Sequence, residues 1–236
     1  MPMSILTDAA PHAQDASPVA QATLPQGVDL TALVAAKLCH DFISPAGAVM
    51  SGLDLLDDPT AQDMHSDALG LIRQSATKMV ALVSFARVAF GASTSAERFS
   101  TTEIHSLITG LTDGGRAQLD WRIPEMSLSK SHARALLNLA YLTMGALPMG
   151  GTAIITARED SDGFLIAGQA EGSRARLKPE ALAGLRGQAL SEGLHGQWIH
   201  PYWLWLTISE IGGRLDTAVE EQRVSLLARL PNPVEI

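Results

Sequence analysis

The sequence predicts an α+β protein: a long antiparallel helical hairpin that pairs with a second copy as a dimeric four-helix bundle, followed by an α/β-sandwich domain. Three observations carry this reading. Two long helical periodicities flank a single break at Asp57-Asp58-Pro59, the texture changes at Ala92-Ser93-Thr94-Ser95-Ala96, and beyond it helical segments alternate with short period-two runs. The 236 residues are 46% apolar, enough to bury a core, but only 5% aromatic, so that core is built from aliphatic side chains. Set against 17 Lys+Arg, the 25 Asp+Glu leave a net charge of −8, which argues against a nucleic-acid-binding domain. A single cysteine, Cys39, rules out an internal disulfide or a multi-cysteine zinc site and fits a reducing cytoplasm.

Residues 1–28 carry Pro2, Pro11, Pro18 and Pro25 among small polar residues and read as a disordered tail with no targeting signal. Asp29 is the expected N-cap of the first helix. The second spans about Ala61 to Gly91, with Met64, Leu71, Ile72, Met79, Leu82, Val83, Ala86 and Phe90 at helical spacing. A hairpin over residues 29–91 cannot cover its own apolar stripe, so a homodimer is expected. Residues 92–99 read as a linker, and residues 100–233 as the second domain. In that domain Ser100-Thr101-Thr102-Glu103 is a capping box. Leu119–Ile123 alternates as a strand, Ser131–Leu147 is helical, and Thr152–Arg158 and Phe164–Gly168 form a hairpin. Lys178–Leu185 and Trp198–Ile211 are helical, and Arg214–Val219 and Val224–Leu230 close the chain as strands. The uncharged run between Arg134 and Arg158 is split at Pro148-Met149-Gly150-Gly151, leaving a helix too short for a bilayer that needs about 20 residues. No membrane association is expected.

His40 is the residue chosen for chemistry. At about 100° per residue, Phe42, Val49, Leu53 and Leu56 lie about 160–220° away, so the imidazole faces water while those residues face the core or a second copy. Lys37, Ser44, Gly47, Ala48 and Ser51 surround its meridian, most of them small. Pro45 within the helix costs about 3 kcal/mol and strips the Asp41 carbonyl of its amide partner, which suggests a shaped site. Cys39 cannot form a dyad with His40, since adjacent helical side chains diverge, and is expected at the hairpin edge. His65, His105 and His132 read as surface residues, His195 and His200 lack companions for a metal site, and Trp198, Tyr202, Trp203 and Trp205 read as core.

His40-Asp41-Phe42-Ile43-Ser44-Pro45 resembles the phosphoacceptor motif of dimeric histidine kinases, with Ile43 standing where Arg or Asn is usual. The longer stretch Ala36-Lys37-Leu38-Cys39-His40-Asp41-Phe42-Ile43-Ser44-Pro45-Ala46-Gly47-Ala48 is similar to ChpT-type histidine phosphotransferases of alphaproteobacteria. Leu147-Pro148-Met149-Gly150-Gly151 and the closing helix–Gly212-Gly213–strand–strand fit that family too. The resemblance implies a kinase-like dimerisation hairpin joined to a degenerate copy of the kinase ATP-binding fold. The residues agree with the degeneration: Gly168-Gln169-Ala170-Glu171-Gly172 lacks the adenine-reading Asp. Asn138 has Leu142 four positions on instead of a second Asn. Gly193-Leu194-His195-Gly196-Gln197-Trp198 sets an indole where a triphosphate would lie, and no Lys occurs between Lys130 and Lys178.

The implied activity is phosphoryl shuttling between receiver-domain aspartates through His40, with Asp41 orienting the imidazole and Lys37 and Ser44 near the phosphoryl oxygens. Receivers would dock along Gly47, Ala48 and Ser51, or around Arg73 and Thr77 on the second helix. No nucleotide or metal site of its own is expected, and Mg²⁺ would come with the receiver. The implied partners are a hybrid kinase's receiver upstream, and a DNA-binding cell-cycle response regulator (CtrA-like) and a single-domain receiver (CpdR-like) downstream. Two alternatives stay open: an autophosphorylating kinase with an atypical nucleotide site, and a non-catalytic scaffold that docks receivers.

Overall fold

The computed structural model describes residues 23–91, 98–190 and 193–232. Residues 1–22 of the expected tail and 92–97 of the expected linker lie outside them. Helix α1 (Gly27–Asp57) and helix α2 (His65–Ala89) form the hairpin, joined through a 3-10 turn at Gln62–Met64. The helix starts two residues before Asp29, which sits in the first turn and is not the cap; Gln26 is, without a side-chain bond. Leu24 and Leu30 pack against the cluster of Trp198, Ile199 and Tyr202, so the end of the expected tail belongs to the fold. Asp58 accepts from the Thr60 backbone and hydroxyl at 2.8 and 2.7 Å, an Asx turn that closes the hairpin.

The two helices meet closely at Gly52, the buried residue of α1. A Cβ there would stand 2.6 Å from Ile72 Cγ1 and 3.2 Å from the Ala68 carbonyl, so only glycine permits this approach. Gly47 is different: nothing lies within 4 Å of where its Cβ would be.

The second domain opens with strand β1 (Arg98–Ser100), paired antiparallel with β3 (Ser127–Ser129). Neither three-residue strand was expected, since so short a run carries no readable alternation, and β1 begins inside the segment read as linker. Ser100 and Glu103 form the expected capping box of α3 (Thr101–Thr112), with reciprocal bonds of 3.0 and 2.7 Å. A five-stranded sheet follows in the order β2-β4-β5-β7-β6. Its strands are β2 (Ala117–Trp121), β4 (Gly151–Asp160), β5 (Gly163–Glu171), β6 (Arg214–Glu220) and β7 (Arg223–Leu230). Only the β2–β4 pair is parallel. β2 begins and ends two residues before the expected strand, which leaves Arg122 and Ile123 beyond its end. Gly151 at φ 132° enters β4 where a Cβ would lie 2.3 Å from the Glu171 carbonyl.

Helices α3, α4 (Lys130–Gly145), α5 (Pro179–Leu185) and α6 (His195–Glu210) complete the domain. The core is aliphatic, as the composition implied: Ile104, Ile108, Leu136, Leu137, Leu139, Ile155, Ile166, Leu204 and Ile208 are fully buried. Trp198 and Tyr202 are buried as expected, rings stacked at 4.3 Å, with the Trp198 indole donating to the Gln188 carbonyl. That indole therefore lies in the core.

The hairpin is fastened to the second domain at the C-terminus of α2. The last carbonyls of a helix lack intrahelical donors and carry the negative end of its dipole. Here the Asn138 amide and the Trp203 indole both donate to the Ala89 carbonyl, at 3.2 and 2.7 Å, while the Arg134 guanidinium donates to Gly91 at 2.5 Å. Lys78 of α2 returns the arrangement by donating to the Leu111 carbonyl near the end of α3. Among the described residues no helix is long and apolar enough to cross a membrane.

Candidate functional site

Three meridians divide α1. Asp41, Pro45 and Gly52 lie at about 100–140° from His40 and face α2 and the second domain. Ile43, Met50 and Leu53 lie at about 220–300° and are exposed, at 71%, 58% and 41%. On α2, Leu69, Val80 and Val83 share a meridian within about 60° and are exposed as well. Ile43, the departure from the kinase motif, belongs to this apolar stripe. Phe42 does not: it turns inward to a small cavity shared with Leu82 and Phe85. The stripe assigned to Phe42, Val49, Leu53 and Leu56 is therefore displaced, because Phe42 finds a partner in its own chain.

The remaining meridian carries His40, whose side chain is 85% exposed. Its Nδ1 stands 3.4 Å from Asp41 Oδ1, and Lys37 Nζ donates to the other oxygen, Oδ2, one helical turn back. Lys37 thus meets the acidic neighbour of the histidine and is half-buried rather than free beside the imidazole. Ser44 is exposed one turn on. Cys39 is exposed and not packed at the hairpin edge.

Beside the histidine a groove of about 830 Å³ runs between the hairpin and the second domain, lined by Asp41, Ser44, Pro45 and Ala48 of α1 and by Gln74, Thr77 and Lys78 of α2. Leu111, Asp113 and Gly114 form its far wall and Tyr141 its floor. Of the residues expected at a docking surface, Ala48 and Thr77 line this groove. Gly47, Ser51 and Arg73 are exposed outside it. Lys78 and Tyr141 were not anticipated. Lys78 sits in an ordinary polar position of α2, and Tyr141 in an apolar helix, so neither carries a sequence signal.

The histidines sort by environment. His132 was expected at the surface and is 3% exposed, bonded through Nδ1 to the Ser129 hydroxyl at 2.6 Å and through Nε2 to the Pro231 carbonyl at 3.0 Å. Burial holds its pKa below the ordinary histidine value. His105 is half-buried against the Trp121 ring at 5.2 Å, and His65 is half-buried too. His200 is buried, with Nε2 2.6 Å from Asn138 Oδ1, and burial pushes its pKa down to about 3, with Lys37 adding to the effect. Its ring stacks on Tyr141 at 4.7 Å. His195 is exposed at the start of α6, so the two do not form a ligand pair. Among the described residues no three His, Cys, Asp or Glu side chains come together to hold a metal ion.

The family model described as the histidine phosphotransferase C-terminal domain matches residues 101–223. The protein phosphotransferase ChpT of Brucella abortus (strain 2308) is 33% identical over 191 residues, covering 80% of this chain and 89% of its own. The chain belongs to the ChpT-type histidine phosphotransferase family. The solved structure of a bacterial phosphotransferase overlays on this family member with a TM-score of 0.78 at 27% identity, covering 89% of this chain and all of the other. The histidine kinase AdeS of Acinetobacter baumannii overlays with a TM-score of 0.45 at 10% identity, over 81% of this chain and 97% of its own. As a ChpT-type phosphotransferase the chain is a phosphorelay protein, and its reaction is phosphoryl transfer.

Proposed function

We propose that His40 is the phosphoacceptor and that Nε2 carries the phosphoryl group. The observation behind this is the pairing of an 85% exposed imidazole with a carboxylate at one ring nitrogen, Nδ1. With Nδ1–H turned toward Asp41, the Nε2 lone pair points outward as the nucleophile. It attacks the phosphorus of a receiver's aspartyl phosphate, a P–N bond forms, the acyl P–O bond breaks and the carboxylate leaves. Asp41 stabilises the positive charge that develops on the ring and receives the Nδ1 proton as the phosphohistidine becomes neutral. The reverse sequence hands the group to a second receiver. Catalysis is then mainly in-line positioning and charge neutralisation.

The groove beside His40 is the proposed seat of the receiver, with Ser44, Ala48 and Thr77 at the contact, and Gly47, Ser51 and Arg73 at its margin. Mg²⁺ enters with the receiver. The upstream donor is the receiver of a hybrid kinase, and the downstream acceptors are a CtrA-like response regulator and a CpdR-like single-domain receiver. The working form is a homodimer whose bundle is closed by the exposed stripes of α1 and α2.

Incubation with a phosphorylated hybrid-kinase receiver tests this. Label should appear on His40, disappear in His40→Ala with fold unchanged, and fail to appear with labelled ATP alone. Undiminished labelling of His40→Ala would end the assignment, and labelling from ATP would favour a kinase.

A further inference from the structure

The transfer chemistry leaves unused a buried polar and aromatic chain that runs from the second domain to Asp41. It begins at Asn138, which is fully buried. Its Nδ2 faces two carbonyls, Ala89 at 3.2 Å and Arg134 at 2.8 Å, so the amide's other end must be the oxygen. That oxygen accepts from His200 Nε2 at 2.6 Å, which fixes the tautomer of a neutral imidazole. The His200 ring lies flat on Tyr141, 4.7 Å between centroids and 15° between planes, and Phe85 supports Tyr141 at 4.9 Å. Tyr141 in turn shares with Asp41 both the large groove and the small enclosed cavity behind Phe42. Burial pushes the Tyr141 phenol up to about 12, and the Asp41 charge adds to the effect. Within the hairpin, Asp41 is held by Lys37 on one oxygen alone, while the oxygen toward His40 keeps only a long 3.4 Å contact.

We propose that Tyr141, braced by His200 and Asn138, is a positioning residue that walls Asp41 into the orientation His40 needs, so that the second domain takes part in the transfer step through its packing. This rests on His40 being the phosphoacceptor. Tyr141 touches neither phosphorus nor receiver aspartate and acts only through Asp41. A small displacement of a group that orients a nucleophile is enough to slow transfer by orders of magnitude.

The test is a double-mutant cycle on the full chain, read as single-turnover transfer from a phosphorylated receiver. Tyr141→Leu should lower the maximal rate at least about tenfold, a larger factor than any rise in the half-saturating receiver concentration. Tyr141→Phe, which keeps the ring, should stay within about twofold of wild type. In an Asp41→Asn background Tyr141→Leu should cost nothing further, because the residue it acts through is already disabled. Additive losses would overturn the proposal, as would a weaker half-saturation at unchanged maximal rate. Should Tyr141→Leu fail to fold, His200→Gln runs the same cycle, since glutamine keeps a donor for Asn138 but removes the stacked ring. Absence of label on wild-type His40 would sink the transfer reading and this proposal with it, whereas additivity on a labelled His40 sinks this proposal alone.

Discussion

At the residue scale, the two buried histidines show what a sequence conceals. His132 sits three residues into a helix behind Ser129, and nothing about its neighbours distinguishes it from a surface histidine. It is buried where the Pro231 carbonyl, just past the end of β7, comes within reach of Nε2, a contact 99 residues away. His200 is likewise made by a partner on another helix. The exposure of His40, by contrast, was legible, because a helical meridian is a local property. The buried pair has a measurable consequence. A histidine held neutral in the fold leaves stability untouched above its unfolded pKa near 6.5, then costs up to about 1.4 kcal/mol per pH unit as the pH falls toward the folded value. For His200 that value is about 3. Wild-type stability in urea should therefore drop steeply between pH 6.5 and about 4, and His200→Gln should flatten that slope while lowering stability at pH 7. Parallel slopes for the two proteins would show that His200 is not held neutral.

At the element scale, both hairpin helices were legible from periodicity, and so were α3, α4 and the strands β4 to β7. The short β1–β3 pair was not, because three residues are too few for a readable alternation, and each strand is held by its partner and by the burial of Phe99 and Leu128 in the core. The faces of α1 were half legible. A wheel places His40 correctly but cannot tell which apolar residues meet α2, the second domain or another copy, so Phe42 was assigned outward and lies inward. Glycine makes the same point: Gly47 and Gly52 look alike in sequence and differ in space. Gly47→Ala, in the open, should stabilise the helix by up to about 1 kcal/mol. Gly52→Val, against Ile72 and the Ala68 carbonyl, should destabilise by about 1–3 kcal/mol. Thermal melts of the two variants check both, and equal effects would contradict the packing. Ser51 is exposed, and Ser51→Arg should leave the stability within about 0.5 kcal/mol of wild type. It should nonetheless slow transfer from a receiver at least about tenfold if the docked receiver passes over this side of α1. Unchanged transfer would confine docking to the groove walls around Thr77 and Lys78.

At the scale of the whole molecule, the exposed stripes of Ile43, Met50 and Leu53 on α1 and Leu69, Val80 and Val83 on α2 are the surface on which the proposed dimer would close. Covering each such side chain contributes about 1.5–3 kcal/mol, enough together to hold two copies at micromolar concentration. Leu53→Asp should give monomers or aggregates by sedimentation. A wild type that sediments as a monomer at that concentration would rule out the bundle.

The fastening at the end of α2 bears on how the protein comes apart. Arg134, Asn138 and Trp203 supply the donors that the last turn of the hairpin lacks, so opening the second domain strips that turn of its partners, and fraying the turn takes an acceptor from the buried Asn138 and the half-buried Arg134. Neither half can loosen at this seam without raising the free energy of the other. The hairpin and the sheet domain, which look separable along the chain, are thereby joined into one cooperative unit of unfolding.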